Sequence, residues 1–298
     1  MSRTTITLRA AACAALLAAA ALPASAQFGG LLRNLPVPIP GVSAPAAAPA
    51  GGGDLIQMLQ QSLESIDEPK EIEIGRQLAA VLLGSKPLHA DMGLQRYVNE
   101  LGRWISLHST RPTLPWSFAV IDDPGFNAFA APGGYIFVTK GLVDRVDEAE
   151  LAGILAHEIT HVVDKHHLQA LKSKAAAGFG ATLVGSQLRG DARGLVQSQV
   201  LSLIRNIYTS GLDKGDEFDA DRHGVALAAR AGFDPYGLPG VLQQLRTVPQ
   251  DNPLFTLTLA THPPADQRLD NLEQAMGKRL DAFAGKPSVS IMQRVQAR

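Results

Sequence analysis

Residues 151–164, LAGILAHEITHVVD, constrain this chain more than any other stretch. His157 and His161 are four apart, and Glu158 follows the first directly. On a helix, residues four apart stack one turn above each other on one face, so both imidazoles can reach a single ion. Glu158 lies about 100° further round, near enough to touch a water on that ion without being forced to bind it. Two histidine ligands and a carboxylate able to take a proton from such a water are what zinc-dependent peptide hydrolysis requires.

The local sequence supports the helix. Asp147 with Glu150 forms a capping-box pattern just before the apolar series Leu151, Ile154, Leu155, Val162 and Val163. Two histidines and a glutamate in so apolar a helix are costly to bury unpaired, and a metal removes that cost. The competing reading is a chance occurrence of a short motif, so the rest of the chain has to decide.

Residues 1–26 read as a cleavable secretory signal. Arg3 and Arg9 charge the start, residues 10–22 are uninterruptedly apolar, and Ala24-Ser25-Ala26 is a small-residue cleavage site. That apolar run is too short to span a bilayer, which needs about 20 residues. The one cysteine, Cys13, lies inside it, so the mature chain has neither a disulfide nor a catalytic thiol, and a lipid anchor is not expected. Loss of Arg3 and Arg9 from a chain with 27 Lys+Arg and 28 Asp+Glu leaves a net charge of −3, which gives no sign of a nucleic-acid partner. Residues 27–53, rich in Pro, Gly and Ala and without an acidic side chain, read as a disordered linker. A single domain is expected over 54–280, with a C-terminal tail at 281–298, and no repeat is visible.

Within that domain, helices are expected over 54–64, 69–83 (apolar at Ile72, Ile74, Leu78, Val81 and Leu82) and 90–105. Residues 116–121 have strand character. Asn127 to Val143 then reads as strand, Pro132-Gly133-Gly134 turn, and a second strand Tyr135–Thr139. Gly134, Tyr135, Ile136 and Phe137 are candidate substrate-binding residues, if the second strand is an edge able to pair with an extended peptide; the alternative is a plain structural hairpin. The apolar, Gly-containing run 175–185 is too short for a membrane span, and 194–208 reads as an amphipathic helix.

A catalytic zinc needs a third protein ligand. Glu217 and Asp221, four apart at the start of a helix reaching about Ala231, share one face. Glu217 is assigned as that ligand, with Asp221 accepting the free ring N–H of a ligating histidine. The competing readings are that these acids only complement the helix dipole, or that His223 is the ligand. Farther on, His262 and Arg268 could donate to the oxyanion of a tetrahedral intermediate, although a histidine before two prolines is ordinarily a loop residue capping a helix. His166 and His167 read as solvated or structural, and His89 and His108 have no motif around them.

Four motifs in order, GGYIFVTKGL, AHEITHVVDKH, EFDADRHG and THPPADQR, make residues 72–272 resemble the zinc metalloendopeptidases related to the CAAX prenyl protease and HtpX, in particular their soluble periplasmic BepA and LoiP type. The resemblance implies one Zn²⁺ held by His157, His161 and Glu217, Glu158 as the base, Asp221 behind the ligands, and His262 and Arg268 at the active site. In some relatives the loop histidine instead approaches the zinc and holds the enzyme shut. It further implies a mostly helical α+β, zincin-like domain with a small sheet beside the HExxH helix. The expected role is cleavage of unfolded or misassembled envelope proteins in the periplasm, with peripheral outer-membrane association among the partners considered. The chain departs from the family in carrying no spanning segment between Val163 and Glu217, no tetratricopeptide array and no lipidation cysteine. The alternatives are a metal-stabilised envelope chaperone or binding factor with latent peptidase activity, and, more weakly, a zinc hydrolase acting on a non-peptide bond.

Overall fold

A computed structural model describes residues 66–173 and 211–297. The expected signal peptide, linker, first helix, apolar run 175–185 and helix 194–208 lie outside the described residues. The elements run α1 (Glu68–Ser85), α2 (Met92–Ser106), β1 (Ser117–Ile121), β2 (Ala128–Ala131), β3 (Tyr135–Thr139), α3 (Lys140–Val143), α4 (Glu148–Val163), α5 (Lys214–Arg230), α6 (Gly237–Arg246), α7 (Thr256–Thr261), α8 (Ala265–Met276), a single 3-10 turn (Asp281–Phe283) and α9 (Ile291–Gln296). The architecture is mostly helical with one small sheet, as expected. Aspartates start the long helices: Asp67, Asp91, Asp147 and Asp213 each accept a backbone N–H of the first turn, satisfying donors that have no partner within the helix. At Asp147 the capping box is complete, with the Glu150 carboxylate returning to the Asp147 N–H at 2.9 Å.

The sheet has the order β1-β3-β2, with β1 parallel and β2 antiparallel to β3. This corrects the expectation for Gly134, Tyr135, Ile136 and Phe137 as a substrate-pairing edge. Tyr135, Ile136 and Phe137 lie in the central strand, paired with Ser117, Phe118 and Ala119 on one side and with Ala131, Ala130 and Phe129 on the other. Gly134 O accepts from Ser117 N at 2.9 Å. Backbone groups already committed to two neighbours cannot pair with a peptide. A hairpin is legible in local sequence, whereas the parallel neighbour β1 is fixed only by tertiary contact. The tight turn before β3 places Gly133 and Gly134 at φ 75° and 101°, a region that a side chain would strain.

Helix α4 is the centre of the fold. Every residue from Leu151 to Val162 is buried, among α2, α5, α6 and the sheet. A helix buried all round reads as apolar all round except where polar groups have a task, and here those groups are His157, Glu158, Thr160 and His161. The segment set apart in the sequence as a tail lies across the start of α4. Ile291 is buried in the main core, Glu148 N donates to Val289 O at 2.9 Å, and Arg294 pairs with Glu148 at 2.8 Å. Among the described residues, no helix is long and apolar enough to cross a membrane.

Candidate metal centre

Helix α4 presents both imidazoles on one face, with His157 Nε2 and His161 Nε2 3.0 Å apart. Helix α5 crosses directly over them. That approach needs Gly224, since a Cβ there would lie 2.9 Å from the backbone N of His157. As a result Glu217 enters from above, with Oε2 3.7 Å from His157 Nε2 and Oε1 3.6 Å from His161 Nε2. One turn on, Asp221 Oδ1 stands 3.0 Å from His157 Nδ1.

These residues fit a metal ion on three grounds. Donors around a tetrahedral zinc, with bonds of 2.0–2.2 Å, lie about 3.3 Å apart, and the three separations above bracket that spacing. Glu217 Oε2 is buried without a hydrogen-bond partner among the described residues, which is costly for a carboxylate unless a cation meets it. Finally, three carboxyl groups (Glu158, Glu217 and Asp221) are buried around one buried cation, Arg268, whose guanidinium is already engaged by Asp221, so Glu217 has no cation of its own. His157, His161 and Glu217 form one of two His and carboxylate groupings compact enough to ligate an ion among the described residues; His157, Glu158 and His262 form the other.

The ionisation pattern suits metal binding. Burial pushes the His157 imidazole down, and burial plus the neighbouring imidazoles push His161 well below its ordinary range, so both rings are neutral with a lone pair to give. Burial, and then the charge of Glu217, raises Glu158 to about 8. Burial likewise raises Glu217. Burial also works to raise Asp221, but the charge of Arg268, its hydrogen bonds and that of His157 outweigh it and hold the carboxyl well below the usual range.

Arg268 comes to the site but not to its open side. Its guanidinium grips Asp221 in a fork, Nε to Oδ2 at 2.8 Å and Nη2 to Oδ1 at 2.5 Å, and is buried on the Asp221 side of His157. The expectation that it donates to an oxyanion is therefore replaced by a chain Arg268–Asp221–His157. His262 does reach inward, with Nε2 3.6 Å from Glu217 Oε2. Its Nδ1 donates to Thr258 O at 3.2 Å and to Thr261 Oγ1 at 3.0 Å, the Thr261 hydroxyl proton being directed to Leu257 O. Burial, then the charge of Arg268, lowers this histidine to about 4. The neutral ring so held offers a lone pair at Nε2, not the proton that an oxyanion would need.

His223, the alternative third ligand, is exposed and bonded to Asp164 at 2.9 Å. His89 and His108 hold local turns, through Asp91 N and Trp104 O. His166 and His167, read as solvated or structural, are buried beside His161, with ring centroids 5.1 and 5.6 Å from its own. Thr258 and Asn127 had no sequence signal at all. The Thr258 hydroxyl bonds to Phe126 O and Asn127 Oδ1, which ties α7, and so His262 at its end, to the segment entering β2. Asn127 and, on the sheet edge formed by β2, Ala128 to Ala130 line a cleft with Glu158, His161 and His262.

The chain is similar in sequence to known proteases over much of its length. The chain is 32% identical over 213 residues to the beta-barrel assembly-enhancing protease of Yersinia pestis, covering 70% of this chain and 43% of that protein. It is 28% identical over 179 residues to the mitochondrial metalloendopeptidase OMA1 of Schizosaccharomyces pombe, covering 60% of this chain and 52% of that one. The chain thus spans about half or less of the length of these relatives. Among solved structures, the Ste24p crystal structure from S. mikatae aligns with a TM-score of 0.38 and 17% identity, over 74% of this chain and 62% of that one. Residues 91–276 match peptidase family M48, and with the ligand-spaced HExxH helix at its centre this chain belongs to that family.

Proposed function

We propose that this chain is an exported zinc-dependent endopeptidase, with His157, His161 and Glu217 holding the ion. The observation that carries the reading is the convergence of two neutral imidazoles and a buried, unpartnered carboxylate oxygen at ligand spacing. Zinc bound there supplies a Lewis acid that polarises the scissile carbonyl and acidifies a water. Glu158, on the cleft side of α4, takes the proton from the attacking water and returns it to the leaving amine. Asp221, braced by Arg268, keeps the His157 ring turned with Nε2 inward. An extended substrate would lie along β2, the sheet edge that faces Glu158, with Asn127 to Ala130 beside it. Export rests on residues 1–26 as a cleavable signal and 27–53 as a linker, leaving a periplasmic domain from residue 54. Unfolded or misassembled envelope proteins are the substrate class supported by the motif resemblance and by the naming of the relatives as assembly-enhancing proteases.

The test is zinc content and casein cleavage measured together for the wild type and Glu158→Gln. Zinc in both with cleavage only in the wild type is expected, the variant losing several orders of magnitude; a cleaving variant refutes the assignment of Glu158. One observation favours a second reading, a latent peptidase acting as a binding factor: the His262 lone pair points at Glu217 and could fill the ion's open position. His262→Ala would then raise cleavage, whereas a productive role for His262 makes it fall.

A further inference from the structure

His157 and His161 are supported differently. The outer nitrogen of His157 meets a carboxylate, Asp221, whereas His161 Nδ1 meets another imidazole, with His166 Nδ1 at 3.0 Å. His166 is buried, and its far nitrogen, Nε2, lies 3.9 Å from Asp216 Oδ1. The proton positions follow from the chemistry: a neutral imidazole that gives its Nε2 lone pair to a metal must carry its proton on Nδ1. That proton needs an acceptor, and His166 Nδ1 is the atom within reach. His166 in turn carries its own proton on Nε2, the nitrogen that faces the Asp216 carboxylate.

The backbone is bent to bring this about. After α4 ends at Val163, Lys165 takes φ 59°, the only left-handed non-glycine residue among the described residues and a strained conformation for any residue with a Cβ. The reversal turns His166 back beneath His161. It is held from outside: Lys165 Nζ lies 3.4 Å from the fully buried Glu71, and Arg111, which grips Glu71 at 2.8 Å, also donates to Val162 O at 3.3 Å. A histidine that only filled space at a helix end would need neither the reversal nor an Nδ1-to-Nδ1 alignment.

On the reading of His161 as a zinc ligand, we propose that His166 is a positioning residue: it accepts the Nδ1 proton of His161 and fixes that ring with Nε2 toward the ion. Partners of this kind are worth about 10–100-fold in metal affinity.

The experiment compares His166→Asn, His166→Gln and His166→Leu with the wild type in the full chain. Asn can put a carbonyl oxygen where Nδ1 sits, Gln one bond farther out, and Leu no acceptor. Zinc affinity is read by chelator competition, ligand geometry by the visible spectrum of the cobalt(II)-loaded protein, and metal-free stability by thermal melting. The expected result is near-wild-type affinity and spectrum for Asn, with about 10–100-fold weaker zinc and an altered cobalt spectrum for Gln and Leu. If Leu does not fold, the Asn and Gln pair decides. Wild-type zinc affinity and cobalt spectrum in the Gln variant overturn the proposal, as does equal weakening by Asn and Gln. A lowered metal-free melting temperature with unchanged affinity also overturns it, because His166 would then be structural only. Failure of the wild type itself to bind zinc would instead refute the ligand assignment on which the proposal rests.

Discussion

Replacing Arg268 by Met tests whether this side chain braces the metal site or works on the substrate. In the structure the guanidinium makes two short bonds to Asp221, and both partners are buried, Asp221 completely. Removing one partner of a buried ion pair costs about 3–5 kcal/mol, because the other charge is left uncompensated. At about 2–4 °C per kcal/mol for a domain of this size, the metal-free melting temperature should fall by roughly 6–20 °C. Arg268 is also what chiefly opposes the effect of burial on Asp221, so without it Asp221 takes up a proton more readily and becomes a poorer acceptor for His157. Zinc affinity should then drop by about 10–100-fold. The double variant Arg268→Met/Asp221→Leu separates the two effects. An apolar pair of similar volume can recover most of the stability, yet His157 still lacks its acceptor and zinc stays weakly held. Denaturant unfolding of the metal-free chains and chelator competition for zinc are the assays. A loss below about 1 kcal/mol in the single variant, or wild-type zinc affinity in the double, refutes the bracing role. Normal zinc affinity with slower turnover would return Arg268 to the substrate side.

Two further consequences follow from the same packing. Glu158 is raised from 4.5 to about 8, so in the folded metal-free chain it keeps a proton that the unfolded chain releases near its ordinary value. Its contribution to stability is complete below pH 4.5 and is lost as pH rises through about 8. Metal-free Glu158→Gln should therefore be the more stable protein above that point, by several kcal/mol at about 1.4 per pH unit, with the gap closing toward pH 4.5; parallel stability curves refute this. Gly224→Ala forces a Cβ to 2.9 Å from His157 N and must push α5 off α4. A destabilisation of about 1–3 kcal/mol with weakened zinc is expected, and a variant that melts and binds zinc like the wild type shows that the helices can shift without cost.

What the sequence made legible is what helical spacing alone can carry. His157 and His161 share a face because they are four apart, and so do Glu217 and Asp221; no tertiary knowledge is needed to pair them. The capping box at Asp147 and Glu150 is equally local, and it starts α4 where expected. The identity of an edge strand is a property of the whole sheet and is not legible locally: β1 lies beside β3 only after a connection containing β2 has been folded back. Arg268 reaches the site, but on the Asp221 side of His157 and not on the open side. Motif proximity shows that a residue arrives, and only packing shows which partner it meets.

His166 is the instructive case, since it lies five positions after His161 and no helical period puts the two rings together. Their contact exists because Lys165 adopts a left-handed conformation that nothing in a Val-Val-Asp-Lys-His run announces, and because Glu71 and Arg111, far off in the chain, hold the turn in place. The proposed ligands on each helix are therefore written in local spacing, whereas the groups that orient them depend on a strained turn and a buried ion pair. Substitutions at Glu71 or Arg111, remote from any chemistry, should accordingly disturb the metal site through the Lys165 turn, before they touch a ligand.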